Sequence, residues 1–251
     1  MGGLARRATY LQQARAATPG ALLVDTGGTL LGTADPVDAS MDRILGRALA
    51  SMKYDVLNVG AGEARAGPLA AEQLAGPGAP ALVASADPGT SGSAAAGSPL
   101  ALAKPYVIRE AAGVRVAFVG VTSPELAPAS VSPGLSAATV EALRKLLPEV
   151  RRQADIVVAL ADLEPNQAEA LASAGLDLDV VLGRRSIASR PAAQSGRTVF
   201  ASAGGHGDYV DLLTLEVDTK GKVTSFVADD SFLEGTIADD PAMLALIEQY
   251  R

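Results

Sequence analysis

A chain of 251 residues that is 48% apolar but only 4% aromatic, with no tryptophan, can bury a full core and must build it from Ala, Val, Leu and Ile. A net charge of −7, with no basic run longer than Arg151-Arg152 or Arg184-Arg185, argues against nucleic acid or an anionic membrane surface as the main partner. No apolar stretch approaches the length of a membrane span, the start lacks the zones of a signal peptide, and the absence of cysteine fits either redox compartment.

In chain order, Leu4, Tyr10, Leu11 and Ala14 predict an opening helix that ends near Pro19-Gly20. Ala21 to Val24 follows as an all-apolar strand of the kind buried on both faces of a sheet. Ile44, Leu45, Ala48 and Met52 predict a helix, Val56 to Val59 a strand, and Ala81 to Ala84 another. Residues 86–98, rich in Gly, Ser, Ala and Pro, predict a flexible loop. Tyr106-Val107-Ile108, Gly113 and Val114 to Val121 read as a hairpin. Ser136 is placed to cap a helix striped by Val140, Leu143, Leu147 and Val150, with Arg144, Lys145 and Arg151 on its wet face and Pro148 kinking or shortening it.

Ile156 to Leu160 predicts a buried strand, Gln167 to Ala174 a helix and Val180 to Leu182 a strand. Late strands are expected at Thr198–Ala201, Leu212–Val217 and Val223–Val227, the last two joined around Lys220-Gly221. Asp240-Pro241 has the cap-then-proline form of a helix start, with Met243, Leu244, Ile247 and Tyr250 expected on the inner face. Strands alternating with helices favour a layered α/β sandwich with mixed sheets.

A run of short phrases carries a more specific message. They are Gly2 to Ala8, Leu22-Leu23-Val24-Asp25-Thr26-Gly27-Gly28-Thr29 closed by Gly32, and Asn58 to Glu63. Lys104 to Ile108 with Gly113 to Pro124, Leu160 to Leu163, Leu182 to Ser186, and Ala203 to Gly207 with Tyr209 continue the series. In this order they resemble the catalytic domain of bacterial 5′-nucleotidases, within the calcineurin-like metallophosphoesterase superfamily. The resemblance implies one domain over 1–251, a four-layer α/β sandwich of two mixed β-sheets flanked by helices. It also implies two divalent metal ions as cofactors and favours a periplasmic or extracellular setting.

The departures concern the metal ligands. The family's first strand and its Asp-x-His motif would precede Met1. Its bridging aspartate corresponds to Gly28, and the asparagine and histidine of its "GNHE" phrase to Ala61 and Gly62, so that only Glu63 persists. Its later histidines correspond to Asp162 and Arg185, with Ile187 at the last ligand position. Glycine, alanine and isoleucine offer no donor, arginine does not deprotonate, and His206 is the chain's single histidine. We therefore expect no retained metal site and no cofactor.

Among individual residues, Arg185 is expected to enter the old pocket near Asp162 and Glu63, its guanidinium standing in for the cation; the alternative has Arg184 and Arg185 both facing solvent. His206, amid glycines, has no visible partner for general-base work. Asp25-Thr26-Gly27-Gly28 has the outline of a phosphate cradle, although a tight turn explains its glycines more simply.

Three functions follow. The first is a degenerate, non-catalytic domain that acts as a binding or structural subunit, with a protein partner or an upstream segment completing the sheet. The second is a phosphoester hydrolase with a site rebuilt from Asp25, Glu63, Asp162 and His206 around one metal ion. The third is a pocket that binds phosphate without cleaving it through Arg184, Arg185 and Arg190.

Overall fold

The apolar runs form the strands of a layered α/β protein, seen in a computed structural model that describes residues 3–32, 35–76, 78–84, 97–122, 135–184, 191–203 and 207–249. The largest sheet has the order β4 (Tyr106–Ala111), β5 (Val114–Thr122), β6 (Ile156–Asp162), β7 (Val180–Arg184), β9 (Thr198–Ala203), β8 (Ala193–Ser195). Its four central strands are parallel, and β4 and β8 close the two edges antiparallel. Every residue of β6 is buried, as a central parallel strand covered on both faces requires. A second sheet, β1 (Val24–Asp25), β2 (Val56–Asn58) and β3 (Ala81–Val83), is wholly parallel.

Three apolar layers hold these sheets together. Val56, Val83, Phe118, Ile156, Val158 and Leu160 lie between the two sheets. Outside the large sheet, Leu143, Leu147 and Val150 of α5 (Ala137–Arg151) and Leu171 of α6 (Pro165–Ala172) pack on Val119, Val157 and Val181. Outside the small sheet, α1 (Leu4–Ala17), α2 (Pro36–Ser51), α4 (Pro68–Leu74) and α7 (Pro241–Glu248) pack on Leu57 and Leu82 through Leu11, Leu49, Leu74 and Met243. The stack therefore reads helices, sheet, sheet, helices. The antiparallel hairpin β10 (Tyr209–Val217) and β11 (Val223–Phe232) forms a third, two-stranded sheet among the described residues.

Several expectations change in detail. The helix containing Pro148 runs unbroken to Arg151, with Ser136 accepting from the Ala138 N–H as its cap. Arg144 and Lys145 are exposed as expected and sit beside Glu141, but Arg151 turns inward to Asp177 and Asp179. At α7 the Asp240 carboxylate caps the Met243 N–H and Pro241 opens the helix, yet Leu244 is 43% exposed instead of facing the core. Strand β8, three residues long, carries no apolar run that would announce it. The expected loop at 86–98 and Tyr250 fall largely or wholly outside the described residues; at the end of that loop, Ser98 caps the short 3-10 turn Pro99–Ala101. Among the described residues no helix is long and apolar enough to cross a membrane.

Candidate functional site

The carboxyl ends of β1, β2, β5 and β6 converge, with Asp25 and Asp162 as the last residues of β1 and β6 and Glu63 in the short helix that follows β2. A strand-to-loop transition at this end of a parallel sheet is where such folds place ligands. Asn58 ties the ends together: its buried Nδ2 donates to the carbonyls of Thr26 at 2.9 Å and Val121 at 3.0 Å. The Thr122 hydroxyl donates to the Val59 carbonyl at 2.9 Å.

Glu63, fully buried in α3 (Ala61–Ala66), is the centre of this arrangement. Its Oε1 accepts from the N–H groups of Thr29 (2.8 Å) and Leu30 (2.9 Å), and its Oε2 from those of Gly28 and Gly60 (both 2.9 Å). Four donors fill the lone pairs of one carboxylate. Burial pushes this carboxyl up to about 7, the N–H donors pulling the other way and the nearby Asp25 charge adding to the rise. The remaining N–H groups of the turn are spent as well. Gly27 donates to Asp25 Oδ1 at 2.8 Å, while Leu31 and Gly32 donate to the buried Asp42 at 2.7 and 3.0 Å. Residues 27–32 thus resemble a phosphate cradle in outline only, because each N–H that would face an anion already has a carboxylate of this chain.

Glycines make the closure possible. Gly27 and Gly28 have φ of +93° and +75°, in the left-handed region that favours glycine. A Cβ on Gly60 would stand 2.4 Å from Asp162 Oδ2, and one on Gly62 only 1.8 Å from the Leu30 carbonyl oxygen. A Cβ on Gly28 would meet Asp162 Oδ1 at 3.0 Å. The loops after β1 and β2 therefore touch backbone to backbone where larger side chains would hold them apart.

Asp162, 3% exposed, ends β6 against this contact. Its Oδ2 accepts from the Ala61 N–H at 2.9 Å, and its Oδ1, without a well-directed hydrogen bond, lies 3.2 Å from Arg184 Nε. Arg184 also pairs with Glu164 and is 43% exposed, so its guanidinium sits at the mouth of the site. Among the described residues the arginine that meets Asp162 is Arg184, partly exposed and paired at once. Arg185, Arg190 and His206 lie outside the described residues, and Ile187 with them. The expected contact of Arg185 with Glu63 therefore lies outside the described residues, and Glu63 itself accepts from four backbone donors.

The candidate acids are therefore brought together around one turn, but each is turned to a partner within the chain. Asp25 accepts from Gly27 N–H and, at 2.9 Å, from the Thr29 hydroxyl. Among the described residues no three His, Cys, Asp or Glu side chains stand as a metal-binding group. These donors do not fit a pair of divalent ions: one carboxylate is saturated, one is locked into its own turn, and one faces a guanidinium. Sequence reasoning missed Asp42 and Glu164; an acid at 42, ten residues beyond a glycine-rich turn, carries no motif that would reveal it.

No family model matches the chain. It is 27% identical, over its whole length, to the human 5′-nucleotidase, of which it covers 47%, so it spans about half the length of that curated relative. Among solved structures, the 5′-nucleotidase precursor of Thermus thermophilus superposes with a TM-score of 0.72 at 20% identity, covering 99% of this chain and 52% of that one. The sulfate thiohydrolase SoxB of the same organism gives 0.79 at 16% identity, covering 100% and 46%. The calcineurin-like phosphoesterase YfkN of Bacillus subtilis gives 0.71 at 20% identity, covering 99% and 88%.

Proposed function

We propose that this chain, which has the calcineurin-like phosphoesterase fold and resembles the N-terminal domain of 5′-nucleotidases, serves as a non-catalytic binding or structural module. The observation that carries this reading is the saturation of Glu63 by four backbone N–H groups at the place where the fold would assemble metal ligands. In phosphoester hydrolysis metal ions clamp the attacking and leaving oxygens and acidify the water. Here the turn is held shut by a carboxylate, and the Arg184 guanidinium puts a fixed positive charge beside Asp162. A periplasmic or extracellular setting belongs to the same proposal, and the likeness to a bacterial 5′-nucleotidase precursor supports it.

The binding role rests on two free edges. Strand β1 pairs only with β2, and β10 only with β11, among the described residues. Leu22 and Val24 beside one edge, and Leu213, Leu215 and Val217 along the other, all pack half-buried against the layer between the sheets. One apolar extended segment, from a protein partner or from an upstream segment of the same polypeptide, would join the two sheets and cover these side chains. Hydrogen exchange on the isolated chain tests this: outward amides of β1 and β10 exchange fast if the edges are open, and full protection would contradict it.

A phosphatase assay with a nucleotide monophosphate panel and added Mn²⁺ tests the loss of catalysis. The expected result is no turnover above buffer. The rival, a hydrolase using Asp25, Glu63, Asp162 and His206 with one metal ion, requires turnover that Asp162→Ala abolishes. Retained phosphate binding through Arg184 would show as thermal stabilisation by the same panel that Arg184→Gln removes.

A further inference from the structure

A groove of about 700 Å³ opens at the pole of the large sheet opposite the candidate site. It lies where β5, β6, β7 and β9 begin, and β6 alone separates it from Asp162 by about 20 Å at 3.3 Å per residue. Five basic side chains line it, Arg115, Arg151, Arg197, Lys220 and Lys222; Asp155 and Asp177 stand in the lining, with Asp179 behind Arg151 and Arg197 and Asp218 at the hairpin turn. That concentration is notable in a chain whose net charge is −7.

The basic groups are held in place by specific contacts. Arg115 Nε and Nη2 clamp Asp155 at 3.1 and 2.8 Å. Arg197 Nη1 and Nη2 reach Asp177 and the buried Asp179 at 2.6 and 2.7 Å. Arg151 completes the wall through Asp179 at 2.6 Å. The hairpin turn is equally fixed: Asp218 Oδ1 accepts from the backbone N–H groups of Lys220 (2.8 Å) and Lys222 (2.9 Å). Gly221 presses on Asp155, where an added Cβ would meet its Cβ at 3.1 Å. Both lysines are exposed at the rim, as is Asp218, whose Oδ1 faces the turn's backbone.

We propose that this groove binds the phosphate groups of an anionic ligand. Arg115 and Arg197, fixed by carboxylates, present their remaining N–H groups without further loss of side-chain freedom, while Arg151 is spent within the chain; lysines at the rim supply compact charge suited to phosphate oxygens. The openness of the groove admits either a free polyphosphate compound or a phosphorylated peptide segment. The phosphate chemistry is common to both.

The test is calorimetric titration of the full chain at low ionic strength with three probes: tripolyphosphate, a phosphoserine peptide and its unphosphorylated twin. The groove predicts binding of a phosphate-bearing probe that weakens with added salt, and that drops about tenfold in the Lys220→Ala/Lys222→Ala double variant. These lysines are exposed, so the fold survives their loss. Arg184→Gln leaves this binding unchanged, which separates the groove from the candidate site. Binding of tripolyphosphate alone identifies a small-molecule source, and binding of the phosphopeptide over its twin a protein source. Failure of both, or binding indifferent to the double variant, overturns the proposal.

Discussion

Glu63 shows how one side chain can close a site. Its carboxylate stitches the turn at 28–30 to Gly60, and glutamine at this position would point an NH₂ at two of four N–H donors. At pH 8, Glu63→Gln should cost about 2 kcal/mol in urea denaturation, the order of leaving buried polar groups unpaired. The pH dependence has a definite sign. The folded carboxyl titrates near 7 and the unfolded one near its ordinary 4.5, so between these values the folded chain holds a proton that the unfolded chain has released. The stabilisation linked to this bound proton is complete below about 4.5 and lost as pH rises through 7. Wild-type stability should fall over that window, and the glutamine variant should show a flatter profile. Gly62→Ala tests the close approach directly: with a Cβ 1.8 Å from a carbonyl oxygen, a loss above about 2 kcal/mol is expected. A neutral outcome would mean that the loops separate easily. At this scale the sequence was readable for what Gly28, Ala61 and Gly62 lack. It was silent on what Glu63 gains, because its four donors meet only when two loops, distant along the chain, touch.

Elements are joined at the far pole by Asp179. Its carboxylate, 3% exposed, accepts from the Val157 N–H at 2.8 Å and holds both Arg151 and Arg197. This ties α5, β6, β7 and β9 into one unit. Asp179→Ala should cost about 3 kcal/mol, since it leaves a buried N–H and two guanidiniums without their anchor. Asp177→Ala, at a side chain 40% exposed, should cost under about 1 kcal/mol. Equal losses in chemical denaturation would refute this ranking. Strands and helices with long apolar patterns, such as β6 and α5, were legible from periodicity. The inward turn of Arg151 was not, since on a helical wheel it belongs to the wet face and only β7 brings its aspartates within reach.

Across the whole molecule, the helix–sheet–sheet–helix layering follows from alternating apolar runs, while the division into sheets of six, three and two strands does not. That division depends on β1 pairing only with β2, and β10 only with β11, among the described residues, a property of spatial neighbours and not of either segment. The closed, carboxylate-locked turn lies at the carboxyl ends of β1 and β2 against the end of β6, and the opposite end of the large sheet carries the basic groove. The most direct test of the closed turn is the metal content of the chain, purified without chelator and equilibrated with Mn²⁺ or Zn²⁺, by mass spectrometry of the elements. Saturated carboxylates predict well under one equivalent per chain, unchanged in Asp162→Ala. One or two tightly held equivalents that Asp162→Ala releases would contradict the account.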